Sequence, residues 1–206
     1  MQELTTANSA LSSKVDAQKK DILRLSNEST TFVWKVDGFS EILKQAKSGS
    51  DENIFSEPFY TGKQGYKLRV YIYPDGDQTN KNRYLSVFFA IMKGKYDAIL
   101  PWPFHQKVTF TLIDQQNDPA KRKNVEMFFM ADPSSSSSAR ATTDELVYMR
   151  GVPRFVSHKN LKTRRYIVDD TLFLQAKIDP PNWLRVGFQE RWGKMAKFDK
   201  GVLQFS

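Results

Sequence analysis

YKLRVYIY (residues 66–73) and RYLSVFFAIM (residues 83–92) decide the fold. In the first, Tyr66, Leu68, Val70 and Ile72 point one way and Lys67, Arg69, Tyr71 and Tyr73 the other. In the second, Leu85, Val87, Phe89 and Ile91 share a face. Successive side chains of an extended chain alternate between faces, so a period of two marks a half-buried strand. Phe32 and Trp34 alternate with Val33 and Lys35 in the same way. KVTFTLID (residues 107–114) adds Val108, Phe110 and Leu112, and TLFLQAKI (residues 171–178) adds Leu172, Leu174, Ala176 and Ile178. Turn residues lie between these runs: Asp75-Gly76, Lys93-Gly94, Asn117-Asp118-Pro119 and Asp132-Pro133. Several half-buried strands joined by short loops predict an antiparallel sandwich or barrel over residues 29–180. One helical stretch interrupts it: FSEILKQAKS (residues 39–48) puts Phe39, Ile42, Leu43 and Ala46 on one side.

Two of these strands break a rule. A one-sided sheet puts polar residues on its outer face, yet Tyr71 and Tyr73 point away from Val70 and Ile72, and Phe88 points away from Val87 and Phe89. If the strands are neighbours across the Asp75-Gly76 loop, these aromatics form a patch on the outside of the sheet. An exposed aromatic cluster marks a contact surface. Coverage by a loop or by the terminal segment is the other reading, and the sequence leaves both open.

Composition narrows the chemistry. The 206 residues suffice for one sizeable domain with an appendage. No apolar run approaches the roughly 20 residues of a membrane span. The first thirty residues carry no secretory signal pattern, so a cytoplasmic location is expected. Zero cysteines exclude disulfides, thiol nucleophiles and cysteine-built zinc sites within these residues. Only His105 and His158 remain for histidine chemistry, and no cofactor is expected. Asp169-Asp170 is a paired-carboxylate candidate, but with no histidine or glycine-rich phosphate loop nearby it reads as a solvated turn. The net charge of +8 admits an anionic partner, and most of it falls from Arg150 onward, where 12 basic residues face 5 acidic ones. No nucleic-acid recognition motif accompanies these charges, so nucleic acid is not expected as a partner.

Other segments read as follows. The five serines at residues 134–138 have the composition of a flexible linker. LPWPF (residues 100–104) reads as a rigid loop anchor packed on the core. Residues 1–28 read as a coiled coil: Met1, Asn8, Val15 and Ile22 at position a, with Leu4, Leu11, Gln18 and Leu25 at position d, give four heptads without proline or glycine. About 28 helical residues span roughly 40 Å. So narrow an apolar stripe favours pairing with further copies of itself through Leu4, Leu11, Val15, Ile22 and Leu25, while packing on its own domain is the alternative. Residues 181–206 form a tail of unassigned structure, with Trp183, Phe188, Trp192 and Phe198 on no clean period.

FSEPFYTGKQGYKLRVYIYPDGD (residues 55–77) and YLSVFFAIMKGKYDAILPWPFHQKVTFTLIDQ (residues 84–115) strongly resemble the C-terminal domain of the tumour necrosis factor receptor-associated factors, the TRAF or MATH domain. FVWKVDGF (residues 32–39) and RRYIVDDTLFLQAKID (residues 164–179) fit the same pattern. The resemblance implies an eight-stranded antiparallel β-sandwich, mainly β, preceded by an α-helical coiled coil that makes a homotrimer. It further implies a signalling adaptor whose heads bind short extended peptides from receptor or adaptor cytoplasmic tails along a sheet edge. By aligned position the family's groove falls on Tyr73, Asp77, Phe88, Phe129, the hydroxyls of Ser135, Ser136 and Ser137, and the backbone at Gly151. That placement reverses the linker reading, because three adjacent hydroxyls can each donate to a peptide side chain. Two positions depart: Tyr71 stands where the family's groove has an arginine, and Arg150 replaces a serine. An acidic ligand group would lose one charge-assisted partner and gain another near Arg150, so a shifted motif preference is expected. A second reading implied by the family is phosphoinositide or membrane-surface binding through Lys159, Lys162, Arg164 and Arg165. The zinc-built ligase module that the family usually carries, and the proteases beside which MATH domains occur, are excluded from these residues by zero cysteines and only two histidines, so an enzyme is not expected here.

Overall fold

The computed structural model describes residues 13–16, 29–49, 53–143 and 148–180. Residues 13–16 are helical, and Val15 among them is 40% exposed. Leu4, Leu11, Ile22 and Leu25 of the expected seam lie outside the described residues, as does the tail at residues 181–206.

Residues 30–178 form a compact unit of two antiparallel sheets. One sheet has the order β1-β9-β6-β7, from Thr30–Asp37, Thr171–Ile178, Lys107–Leu112 and Val125–Met130. The other has the order β2-β4-β5-β8, from Ile54–Phe55, Lys67–Tyr73, Tyr84–Met92 and Arg150–Ser157. The two-residue strand β3, Phe59–Tyr60, also pairs with β4. That makes nine strands among the described residues where eight were expected. β2 and β3 lie along the same partner, Ile54 opposite Ile72 and Phe59 opposite Leu68, so they are two pieces of one interrupted edge strand.

The predicted alternation appears as burial. Leu68, Val70 and Ile72 of β4 meet Leu85, Val87 and Phe89 of β5, Phe110 and Leu112 of β6, and Leu172 and Leu174 of β9 in one core. Burying each such side chain contributes about 1.5–3 kcal/mol. The LPWPF loop is part of this core: Phe104 is fully buried, and the Tyr66 ring stands edge-on to both Trp102 and Phe104 at 5.0 Å. Trp102 Nε1 donates to the Asp97 carbonyl at 2.9 Å, which satisfies the polar end of a packed ring.

The predicted helix is α1, Phe39–Ser48, with Phe39 and Ala46 buried. Gly38 offers no side-chain cap. Asp170 supplies one from 130 residues away: its Oδ1 accepts the Ser40 amide at 2.7 Å and its carbonyl accepts the Phe39 amide at 3.0 Å. The Asp169-Asp170 turn is exposed, as expected, and its function in the fold is to cap a helix. A second, one-turn helix α2, His158–Leu161, follows β8.

Candidate peptide-binding site

β4 and β5 are neighbours across the Asp75-Gly76 loop, with Tyr71 opposite Phe88 and Tyr73 opposite Ser86. The expected outer aromatic row therefore exists, but it is not uniformly exposed. Phe55 of β2 sits opposite Tyr71, their ring centroids 5.8 Å apart, and Tyr71 is only 4% exposed. Phe55 takes the outer position, 55% exposed, with the Arg69 guanidinium 4.7 Å from its ring centre. Tyr71 as part of an exposed patch is thus a misreading. The two-residue strand that covers it was too short to show a period. The Tyr71 hydroxyl is buried without a hydrogen-bond partner. Burial pushes this phenol up, and the neighbouring Arg69 side chain opposes the shift.

Tyr73 and Phe88 remain half-buried and meet edge-to-face at 5.5 Å. With Asp77, Gln78, Thr79 and Met149 they line a depression of about 400 Å³. The loop shaping it is held by its own polar groups. Asp77 Oδ1 accepts from Thr79 Oγ1 at 3.1 Å, from the Asn80 amide at 3.0 Å and from Asn80 Nδ2 at 2.6 Å. The Asp77 amide donates to Ser86 Oγ at 3.2 Å, and Ser86 Oγ donates to the Pro153 carbonyl at 2.5 Å, tying the loop to β5 and β8. Gly76 is required here: its φ is +89°, and a Cβ would lie 2.4 Å from the Asn80 carbonyl oxygen.

β8 begins beside this depression. Gly151 pairs with Phe88, and a Cβ on it would meet the Val87 carbonyl oxygen at 2.1 Å and Phe88 Cα at 2.5 Å. Any larger residue would push β8 off β5. Arg150, one residue earlier, donates from Nε to Ser137 Oγ. The serine run is not a flexible linker. Ser136–Ser138 form a 3-10 turn capped by Ser135, and Ser135 Oγ lies 3.0 Å from Ser137 Oγ. Buried Ser138 anchors the turn by donating to the Asp132 carbonyl at 2.7 Å while its own carbonyl accepts the Phe104 amide at 2.8 Å. Hydrogen bonds from the Ser134 hydroxyl and amide hold the Asp132 carboxyl below its ordinary value; slight desolvation opposes them and the Arg150 charge assists. Ser136 is exposed, and Ser135 and Ser137 are half-buried.

The remaining expected residues lie elsewhere. Phe129 of β7 is opposite Val108 and faces inward, its ring 5.9 Å from Phe89, so it does not join the outer aromatics or line the depression. In the basic segment, Lys159, Lys162 and Arg165 are exposed, whereas Arg164 is committed. Its Nε donates to the buried Asp114 at 2.6 Å and its Nη2 to the Lys121 carbonyl at 2.6 Å. Burial alone would raise the Asp114 carboxyl; the Arg164 hydrogen bond and charge, together with the Lys123 amide, outweigh it and hold the group low. His158 Nε2 is 2.8 Å from the Pro74 carbonyl and His105 Nδ1 is 3.0 Å from the Pro103 carbonyl, both within hydrogen-bonding reach of backbone. Sequence reasoning did not find Met149, Gln78 or Thr79. The Asp-x-Thr-Asn run at residues 77–80 carries a turn signal that points to the last of these; Met149 carries none.

The described residues thus form an antiparallel sandwich whose edge strand β8 starts beside an aromatic depression. The comparisons with known proteins agree. The sequence profile of the TRAF/meprin, MATH domain matches residues 51–175. Over 149 residues, 71% of this chain and 26% of the relative, the sequence is 41% identical to TNF receptor-associated factor 5 of Mus musculus. It is 40% identical to TNF receptor-associated factor 2 of Homo sapiens over 72% of this chain and 29% of that protein. Among solved structures, Notothenia coriiceps TRAF5 superposes with a TM-score of 0.69 at 25% identity, covering 86% of this chain and 89% of that one. This chain belongs to the TRAF/MATH domain family, a family of protein-interaction domains. It spans under two fifths of the length of the curated relatives it matches. Among the described residues no helix is long and apolar enough to cross a membrane.

Proposed function

We propose that this chain is the receptor-binding part of a cytoplasmic trimeric signalling adaptor. Its sandwich takes a short extended peptide from a receptor or adaptor tail by strand addition at the free edge of β8. The observation that carries this reading is convergence. The 77–80 loop, Phe88 of β5, the serine turn and the start of β8 come from four separate stretches of chain and meet around a backbone edge that no strand among the described residues pairs with. Because Gly151 has no side chain, β8 pairs closely with β5 beside Phe88, which brings the edge next to the half-buried ring. A single extended peptide in so shallow a groove binds on the order of micromolar to millimolar, about −4 to −8 kcal/mol. Three heads on one coiled coil make the later contacts effectively intramolecular and raise avidity about 10² to 10⁴-fold. The names of the relatives, TNF receptor-associated factors, support tumour necrosis factor receptors as the class of partner.

The test is a peptide array probed with the purified chain, repeated with Phe88→Ala and with Ser135, Ser136 and Ser137 all changed to Ala. Loss of captured peptides in both variants supports the groove, and full retention in both moves it elsewhere. Sedimentation reads the other half: a trimer at working concentration supports the avidity mechanism, and a lone chain removes it.

A second reading, binding to an anionic membrane surface, has one observation in its favour. Arg164 ties its segment to the exposed run Lys121, Arg122 and Lys123, which adds cations near Lys159, Lys162 and Arg165. Co-sedimentation with phosphoinositide vesicles, lost on neutralising Lys159, Lys162 and Arg165, would support it; no pelleting of the unaltered chain would exclude it.

A further inference from the structure

We infer that the depression beside Asp77 receives a basic side chain, lysine or arginine, of the bound peptide. This rests on the peptide-binding reading above and names the ligand chemistry of that groove. The walls are Tyr73 and Phe88, edge-to-face at 5.5 Å, with Met149 and Gln78. Aromatic faces attract cations through their quadrupole, and apolar walls accept the methylene stem of a long charged side chain.

Asp77 supplies the charge. All three of its hydrogen bonds from the loop fall on Oδ1. Among the described residues no donor reaches Oδ2 and no lysine or arginine pairs with this carboxylate. The cations nearest in the loop are engaged elsewhere. Arg83 Nη2 donates to the Thr79 carbonyl at 3.0 Å, and Arg154 Nε to Asn80 Oδ1 at 3.0 Å. Lys81 lines a separate hollow with Ala46, Asp75, Gly76 and Gln78. The strand position opposite Phe88 holds Tyr71 rather than a charged residue, and its covered ring supplies no cation to the depression. Among the described residues the site therefore presents one carboxylate oxygen beside the Phe88 ring, with no lysine or arginine paired to that carboxylate. A cationic guest completes that set, whereas an acidic guest would meet Asp77 as a like charge. The overall charge of +8 does not reverse this, because at physiological salt charges beyond roughly 8 Å are largely screened.

The experiment is selection of extended decapeptides from a random displayed library on the immobilised full chain, with parallel selections on Asp77→Asn and Phe88→Ala. Asparagine keeps the Oδ1 that receives all three loop bonds, so the loop is expected to hold. The wild-type selection should enrich lysine or arginine about tenfold at one position, the size expected of a charge-assisted contact. That preference should vanish with Asp77→Asn and shrink for the wild type between low and high salt. Enriched peptides without a basic preference overturn the inference while leaving the groove intact. So does a preference that survives Asp77→Asn, or one indifferent to salt. If the wild type enriches nothing beyond Phe88→Ala, the groove itself fails and the inference with it.

Discussion

The inner and outer faces of the β4–β5 pair are built from the same alternating strands and obey different rules. Leu68, Val70, Ile72, Leu85, Val87 and Phe89 face inward and are all buried. Any of them could be exchanged for another apolar residue of similar volume at a cost below about 1.5 kcal/mol. The outer residues have individual fates. Tyr71 is covered by Phe55, Ser86 bridges Asp77 to Pro153, Phe88 waits beside Gly151, and Tyr73 walls a depression. Burial asks for a type of residue, whereas an interaction surface asks for particular residues at particular places.

The largest effect should come from the inner face. Phe89 packs on Phe104, Phe110 and Phe129, so Phe89→Ala should cost about 3–5 kcal/mol in urea unfolding. A cost below about 1 kcal/mol would mean that the core does not close on this ring. Gly151→Ala sits between the two faces. Its Cβ has no room against the Val87 carbonyl, so unfolding should be easier by about 1–3 kcal/mol and peptide capture should fall with it. Normal stability with normal capture would show that the contact of β8 with β5 relaxes freely.

Asp114→Asn tests a polar contact away from both faces. The folded carboxyl lies below its ordinary value, so the pair with Arg164 stabilises the fold above the unfolded carboxylate value, roughly 3.9, and loses that contribution as pH falls through the lower folded value. Arg164 is 27% exposed and partly screened, so the loss at neutral pH should be about 1–2 kcal/mol. The gap between wild type and variant should start to narrow below about pH 4 and close only below the lower folded value. A gap independent of pH would deny the ion pair its role. The smallest effect should be that of Tyr71→Phe, which removes a buried hydroxyl without a partner: stability unchanged or up by about 1 kcal/mol, and peptide capture unchanged. Lost capture would return Tyr71 to the binding surface.

How much of this was legible in the sequence follows the same division. Inward-facing positions of β1, β4, β5, β6 and β9 showed in the period of two, and α1 showed in its apolar side. β2 and β3, two residues each, are too short for any period. β7 is an edge strand whose exposed Met127, Phe128 and Met130 flank a single half-buried Phe129, so its apolar residues run together rather than alternate. β8 carries Pro153 and Arg154 in mid-strand, both exposed. On the candidate site, alternation alone picked out Tyr73 and Phe88. The resemblance to the TRAF domain added Asp77, Gly151 and the serines, which composition alone reads as a linker. Neither source could show that Phe55 closes over Tyr71 or that Asp114 occupies Arg164, because both depend on contacts between segments far apart in sequence.

The most direct test of the outer face as an interaction surface is a map of backbone amide signals by NMR, recorded as a peptide captured on the array is titrated into the labelled chain. The account predicts the largest shifts at Arg150, Gly151 and Val152, at Ser135, Ser136 and Ser137, and at Asp77 and Phe88, with β1 and β9 silent. Shifts confined to the Thr30–Asp37 edge or to the segment from Lys159 to Arg165, with the start of β8 unmoved, would contradict it.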